Sequence, residues 1–198
     1  MDVSRETLER LRAYEAALAR WTDRINLIGR STRSDIWGRH ILDSLQVAEH
    51  VPEQAMSVLD IGSGGGLPGI VLAILARAAA PERRVTLIDS DGRKCAFLRT
   101  VVRDHDLPAN VIASRIEDLA PMNADCITAR ALASLDRLLD LAIPHSAPNC
   151  TFVFLKGARY QEEVDAARTK WDFALACHPS KTSDDGAILV LTKVSART

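Results

Sequence analysis

Val58-Leu-Asp-Ile-Gly-Ser-Gly-Gly-Gly-Leu-Pro-Gly69, running on into Ile70-Val-Leu-Ala-Ile-Leu-Ala76, is the stretch that decides how this chain folds. The apolar residues before Asp60 read as a buried strand, and residues 70–76 read as a helix packed against it. Five glycines fall within the eight residues 62–69. Glycine loses more conformational freedom on folding than any other residue, so such a turn is retained where something must approach the backbone closely. The helix that follows adds unpaired N–H groups and the positive end of its dipole. Strand, glycine turn and helix together predict a site for a nucleotide-like cofactor.

Two cofactors compete for this loop. Gly64-Gly-Gly-Leu-Pro-Gly69 satisfies the G-x-G-x-x-G pattern of dinucleotide-binding folds, and Asp89 follows Gly69 by 20 residues. The same stretch also carries an acidic residue, one spacer and Gly-x-Gly-x-Gly: Asp60, Ile61, then Gly62, Gly64 and Gly66. That is the S-adenosylmethionine loop of Rossmann-like methyltransferases. A carboxylate at the strand's end suits an ammonium and a sulfonium, and it is a poor neighbour for a pyrophosphate, which seeks N–H donors. Asp89 can accept from a ribose diol in either case. The reading therefore favours S-adenosylmethionine, with an NAD-dependent oxidoreductase as the alternative.

Outward from the loop, the chain alternates. Strands are predicted at 57–61, 85–89, 110–114, 125–129 and 150–155, with helices at 69–77, 92–105 and 134–143 and a short turn after Ile116. Repeated βα units of this length predict a mostly parallel, doubly wound α/β sheet with right-handed crossovers. A charged helix over 161–170 is followed by strands at 172–178 and 187–193 joined by the polar loop 179–186, a closing antiparallel pair. Ahead of the sheet, apolar residues recur at helical spacing from Ser4 to about Ile28, and Ser34 opens a second helix to about Val47. Residues 1–50 are thus expected as a helical cap on a Rossmann-like domain at 51–198.

Composition sets the frame. With 198 residues and 47% hydrophobic content the chain is sized for one well-cored domain. It contains no run of 18 apolar residues and no signal-peptide pattern at Met1-Asp-Val-Ser-Arg-Glu6, so a soluble, cytoplasmic monomer is expected. Cys95, Cys126, Cys150 and Cys177 form no C-x-x-C pair and the histidines lack ligand spacing, so neither a disulfide framework nor a metal site is predicted. The net charge of −1 leaves room for a basic face, because nucleic-acid binding depends on where charge sits. Arg24, Arg30, Arg33 and Arg39 fall within 16 residues of the cap and form a candidate phosphate-contacting stripe.

Four further segments resemble one family, the bacterial 16S ribosomal RNA guanine-N7 methyltransferases, or glucose-inhibited division protein B family. These are Asn26-Leu-Ile28, Arg39-His-Ile-Leu-Asp-Ser44, the Leu67-Pro-Gly69 that closes the cofactor loop, and Thr128-Ala-Arg-Ala-Leu-Ala-Ser134; Lys156-Gly157 also fits. They span nearly the whole chain in order. Three positions depart from the common pattern: Ile28 in place of threonine, Gly65 in place of proline or alanine, and Gly186-Ala187 where many members carry a basic residue.

The resemblance implies that Asp60, Gly62, Gly64, Gly66 and Leu67 flank the methionine and ribose of S-adenosylmethionine, that Asp89 takes the ribose hydroxyls, and that Ile116 and Glu117 read the adenine edge. It also implies a substrate in 16S ribosomal RNA or the small subunit; by their charge Arg24, Arg33 and Arg39 of the cap and Arg93, Lys94, Arg115 and Lys156 of the body are the candidate contacts, with a solvated helix face as the ordinary alternative for the cap arginines. Arg130 ends a predicted strand, so its guanidinium emerges at the carboxyl edge of the sheet where open α/β folds bind ligands. A structural salt bridge is the competing explanation; the resemblance places it beside cofactor and substrate. His40 and Asp43 are three apart on one helix face. Guanine N7 carries an in-plane lone pair and no proton, so its methylation by in-line attack needs no general base. His40 and Asp43 are therefore expected to orient the base or to hold the cap, with plain packing as the alternative. A methyltransferase acting on a small molecule or protein, and a ribosome-binding module without turnover, are the other readings.

Overall fold

The computed structural model describes residues 3–197. Helix α1 (Arg5–Thr22) starts at Ser4, whose hydroxyl accepts from the Thr7 N–H. This satisfies one of the orphan donors of the first turn. The expected second helix is present but irregular. Residues Arg30–Asp35 form a 3-10 turn, Trp37–Leu42 widen into a π-helical turn, and only Asp43–Ala48 (α2) is regular α-helix. The break falls where the Asp35 carboxylate accepts the Gly38 N–H at 2.8 Å, an interaction that competes with the helical ladder.

The remainder is β1 (Ser57–Ile61), α3 (Gly69–Ala79), β2 (Arg84–Asp89), α4 (Gly92–Asp104), β3 (Ala109–Ala113), β4 (Ala124–Arg130), α5 (Leu135–Ala142), β5 (Ser146–Lys156), α6 (Tyr160–Ala167), β6 (Trp171–Pro179) and β7 (Ala187–Ala196). Strand boundaries fall close to those predicted. β5 starts four residues early, at Ser146, because Ser146 pairs with Ala124 across an irregularity in the ladder that the polar stretch Ser146–Asn149 does not announce. The seven strands are ordered β3-β2-β1-β4-β5-β7-β6, with β1 to β5 parallel to one another and β7 antiparallel to both β5 and β6.

Buried residues form two clusters. One holds Leu11, Tyr14 and Leu18 of α1 together with Ile70 and Val71 of α3 and Phe97 and Leu98 of α4. The N-terminal helix thus buries its apolar stripe in the same core as the α/β body, and α1 and α2 form a side of that body. The other cluster lies under α5 and α6. Trp21 packs on Phe97 at a ring separation of 5.5 Å, and Trp37 lies under the Arg12 guanidinium at 3.4 Å. Cys95, Cys126 and Cys150 are buried, whereas Cys177, on the edge strand β6, is exposed. Among the described residues no helix is long and apolar enough to cross a membrane, and none of the His, Cys, Asp and Glu side chains group to hold a metal.

Candidate active site

The loop after β1 is built from backbone. Gly62, Gly64 and Gly66 have φ of +68°, +55° and +92°, a region that side chains other than glycine's rarely enter. A Cβ on Gly66 would stand 2.5 Å from Ile70 and 2.8 Å from Leu98, so this glycine is required for packing. A Cβ on Gly64 would meet nothing nearer than 3.9 Å, so this glycine leaves open space beside the backbone. The Tyr14 hydroxyl donates to the Gly65 carbonyl at 2.7 Å, tying α1 to the loop. Burial raises the Tyr14 pKa, keeping the hydroxyl a donor.

The two loop acids differ in role. Asp60 is fully buried: Oδ1 accepts from Thr128 Oγ1 at 2.8 Å and Oδ2 from the Gly69 N–H at 3.2 Å. Burial pushes its carboxyl up to about 6 against the opposing effect of those hydrogen bonds. Its carboxylate sits beneath the loop, joining β1 to β4 and to the start of α3, rather than on the cavity wall where the sequence reading set it. The strand's last turn points it inward. Asp89 does line the cavity; Oδ2 accepts the Gly64 N–H and Oδ1 the Asp91 N–H, both at 2.8 Å.

The loop forms one side of a cavity of about 1070 Å³ at the carboxyl ends of the parallel strands. Gly62, Gly64, Leu67, Asp89 and Lys94 line it from the loop after β1, the end of β2 and the start of α4, Arg130 and Lys156 from the ends of β4 and β5, and Arg39, His40 and Asp43 from the N-terminal helices. Arg130 Nη1 stands 3.4 Å from Asp43 Oδ2 and 3.4 Å from the Arg39 carbonyl, both longer than a charge-assisted bond, so most of its donors remain available. Asp43 Oδ1 accepts from Thr182 Oγ1 at 2.8 Å. Arg39 donates to the Thr182 carbonyl at 3.0 Å, and Gln46 Oε1 accepts the Lys181 N–H at 2.7 Å. These bonds clamp the loop between β6 and β7, whose Ser180 and Ser183 also line the cavity, onto the N-terminal helices. Sequence reasoning missed Thr182 and Gln46 because the partners are far apart in the chain.

His40 is 7% exposed, and its Nε2 lies 2.8 Å from Thr32 Oγ1. The Thr32 hydroxyl itself donates to the Gly29 carbonyl at 3.0 Å. Its single proton is therefore committed, and His40 donates through Nε2–H and keeps Nδ1 bare. Burial and the nearby Arg130 and Arg39 lower its pKa to about 4, so the imidazole is neutral at pH 7.

Lys156 is engaged. Its Nζ donates to the Ala133 carbonyl and to Glu163 Oε2, both at 2.6 Å, and the same carboxylate oxygen accepts the Leu135 N–H. Lys156 thus fixes the start of α5. Ile116 is buried in the core and Glu117 pairs with Arg137 at 2.8 Å; neither lines the cavity, because the turn after β3 directs Glu117 towards α5. Of the RNA candidates, Arg39, Lys94 and Lys156 line the cavity. Arg24, Arg93 and Arg115 are exposed away from it. Arg33 is tied down: Nη2 donates to the Thr22 carbonyl at 3.0 Å and Nη1 lies 3.6 Å from Asp23. Arg159, overlooked in the sequence, also lines the cavity.

A bare-backbone loop with open space at Gly64, next to an acidic acceptor at the end of β2, fits the amino-acid and ribose parts of S-adenosylmethionine. The antiparallel β7 between β5 and β6 departs from the all-parallel order of dinucleotide-binding sheets. Fold and loop together define the class, that of Rossmann-like methyltransferases. Cofactor-bound Rv0187 from MTB superposes with a TM-score of 0.63 at 18% identity, over 93% of this chain and 90% of that one. A methyltransferase from Geobacter sulfurreducens does so with a TM-score of 0.60 at 18% identity, over 97% and 92%.

The chain belongs to the GidB family, rRNA small subunit methyltransferase G, whose model matches residues 7–184. A relative so named from Cereibacter sphaeroides (strain ATCC 17023) is 49% identical over 191 residues, covering 96% of this chain and 93% of the relative. Another from Ruegeria sp. (strain TM1040) is 49% identical over 193 residues, covering 98% and 93%. This membership removes the oxidoreductase alternative.

Proposed function

We propose that this chain transfers the methyl group of S-adenosylmethionine to N7 of a guanine in 16S ribosomal RNA, acting as a cytoplasmic monomer on the small subunit or its RNA. The observation that carries the reading is one cavity that joins a glycine-built cofactor loop to the side chains of Arg39, His40, Asp43 and Arg130. His40 is buried and neutral with a pKa near 4, and Asp43 is held by Thr182 and Arg130. When bound, S-adenosylmethionine supplies an electrophilic methyl group.

The protein's own part is binding, orientation and field. Gly62, Gly64 and Leu67 offer backbone to the methionine and ribose, and Asp89 accepts from the ribose hydroxyls; Gly66, expected from the sequence to join them, is packed on Ile70 and Leu98 and does not line the cavity. Adenine is assigned to the end of β3, next to Asp89, whose carbonyl accepts the Ser114 N–H at 3.1 Å. Arg130, with donors to spare, orients the base. Guanine gains positive charge as N7 is methylated, and Asp43 beside Arg130 offsets the field of that guanidinium. Arg39, Lys94 and Arg159 have no ion pair among the described residues and face flanking phosphates. The target is an unpaired nucleotide extruded into the cavity, since the deep groove of an RNA helix excludes side chains.

The test is transfer of labelled methyl to small subunits from a strain lacking the enzyme, followed by nucleoside mass spectrometry. Label in 7-methylguanosine of 16S RNA is expected. Label confined to protein or a metabolite, or no label, would overturn the reading.

A further inference from the structure

We propose that Leu132 is the apolar face on which the target base rests, a substrate-contacting residue of the methyl transfer inferred above. The proposal depends on that reading of the site. A base drawn out of RNA loses its stacking partners and needs another flat contact to hold N7 in line. Among the described residues lining the cavity there is no Phe, Tyr or Trp to serve. Leu132 is 40% exposed; the other exposed large apolar side chains, Leu8, Leu42 and Met56, lie away from the cavity, while Leu132 lines it.

Its placement is built rather than incidental. Leu132 lies directly over Gly62, where a Cβ would stand 2.6 Å from Cδ1 and 2.9 Å from Cδ2. The side chain therefore rests on the first glycine of the cofactor loop and turns its other side to the cavity. Ala131 before it has a φ of +52°, uncommon for a residue with a Cβ. Arg130 and Leu132, two residues apart at the end of β4, both line the cavity. Just beyond, the Ala133 carbonyl and the Leu135 N–H are held by Lys156 and Glu163, so the segment that presents Leu132 is anchored. A guanidinium for the base's edge and an isobutyl group for its face thus come from one short turn beside the methyl-donor loop.

Two measurements test this. In methyl-labelled protein saturated with S-adenosylhomocysteine, adding guanosine 5′-monophosphate should shift the Leu132 methyl resonances upfield through the ring current of the purine. In turnover on unmodified small subunits, Leu132→Ala should lower kcat/KM about tenfold, on the scale of one lost apolar contact with a base, while Leu132→Met restores most of it. Cofactor affinity and thermal stability should be unchanged in both variants. Leu132 methyls that do not move with nucleotide, wild-type kcat/KM in Leu132→Ala, or a loss appearing in cofactor affinity instead would each overturn the proposal. Failure of the wild type to label 16S RNA would sink the functional reading, and the resonance shift would still decide the Leu132 contact.

Discussion

The two walls of the cavity are made in different ways. The cofactor wall is backbone: three glycines at positive φ, braced from below by Asp60 and from the side by Asp89, all within one βαβ unit. The other part of the lining is made of side chains from distant segments, with Asp43 bonded to Thr182 across 139 residues and Arg130 beside Asp43 across 87. The first kind of wall depends on glycine backbone conformations and needs few charges. The second tolerates repacking but depends on individual polar groups. A residue's importance therefore shows itself differently on each side, in stability for one and in turnover for the other.

The sharpest way to break this contrast is within the loop. Gly66→Ala should destabilise the fold by about 3 kcal/mol or more, from overpacking against Ile70 and Leu98 added to an unfavourable φ. Gly64→Ala, where space is open, should cost about 1–2 kcal/mol of backbone strain and act chiefly on cofactor affinity. Denaturant unfolding and calorimetry separate the two; equal losses of stability would mean that the loop is not divided into packing and binding positions.

In the side-chain part of the lining, Arg130→Ala should lower kcat about 100-fold with cofactor affinity nearly unchanged, as expected for lost electrostatic orientation. Wild-type turnover would return Arg130 to the salt bridge with Asp43 as its whole role.

A smaller effect concerns His40. Its folded-state pKa of about 4 lies below the unfolded value of 6.5, so the stability it contributes is present above pH 6.5 and is lost as pH falls through 4. Wild type should lose about 2 kcal/mol more than His40→Gln between pH 7 and pH 4. The opposite contribution of Asp60 is common to both proteins and cancels. Identical acid profiles would show that the imidazole is not held neutral by its surroundings.

The smallest effect separates two neighbouring arginines. Arg24→Gln should reduce the salt slope of RNA binding by about one phosphate contact without touching stability. Arg33→Gln should leave that slope alone and cost about 1 kcal/mol through its lost bond to the Thr22 carbonyl. A reduced slope in both variants would show that the stripe works as the sequence alone suggests.

What could be read in advance follows from the same contrast. The strands and the glycine loop were legible because apolar runs and turn residues lie next to one another in the chain. The clamp on the β6–β7 loop was not, since Thr182 and Gln46 are ordinary polar residues until the sheet brings them together. Local chemistry also misled where geometry decides direction. Asp60 turns inward to Gly69 and Thr128, Lys156 is held by Glu163, and Glu117 faces Arg137 rather than the cavity. The second helix was legible as helix, but its π-helical turn depends on the Asp35 bond to Gly38, which no periodicity reveals.

The most direct test of the central claim is calorimetric titration of wild type and Asp89→Ala with S-adenosylhomocysteine and with NAD. The glycine wall with Asp89 at its side predicts one tight site for S-adenosylhomocysteine, at least about tenfold weaker in Asp89→Ala, and no binding of NAD. Binding of NAD alone, or affinity for S-adenosylhomocysteine untouched by loss of the Asp89 carboxylate, would contradict it.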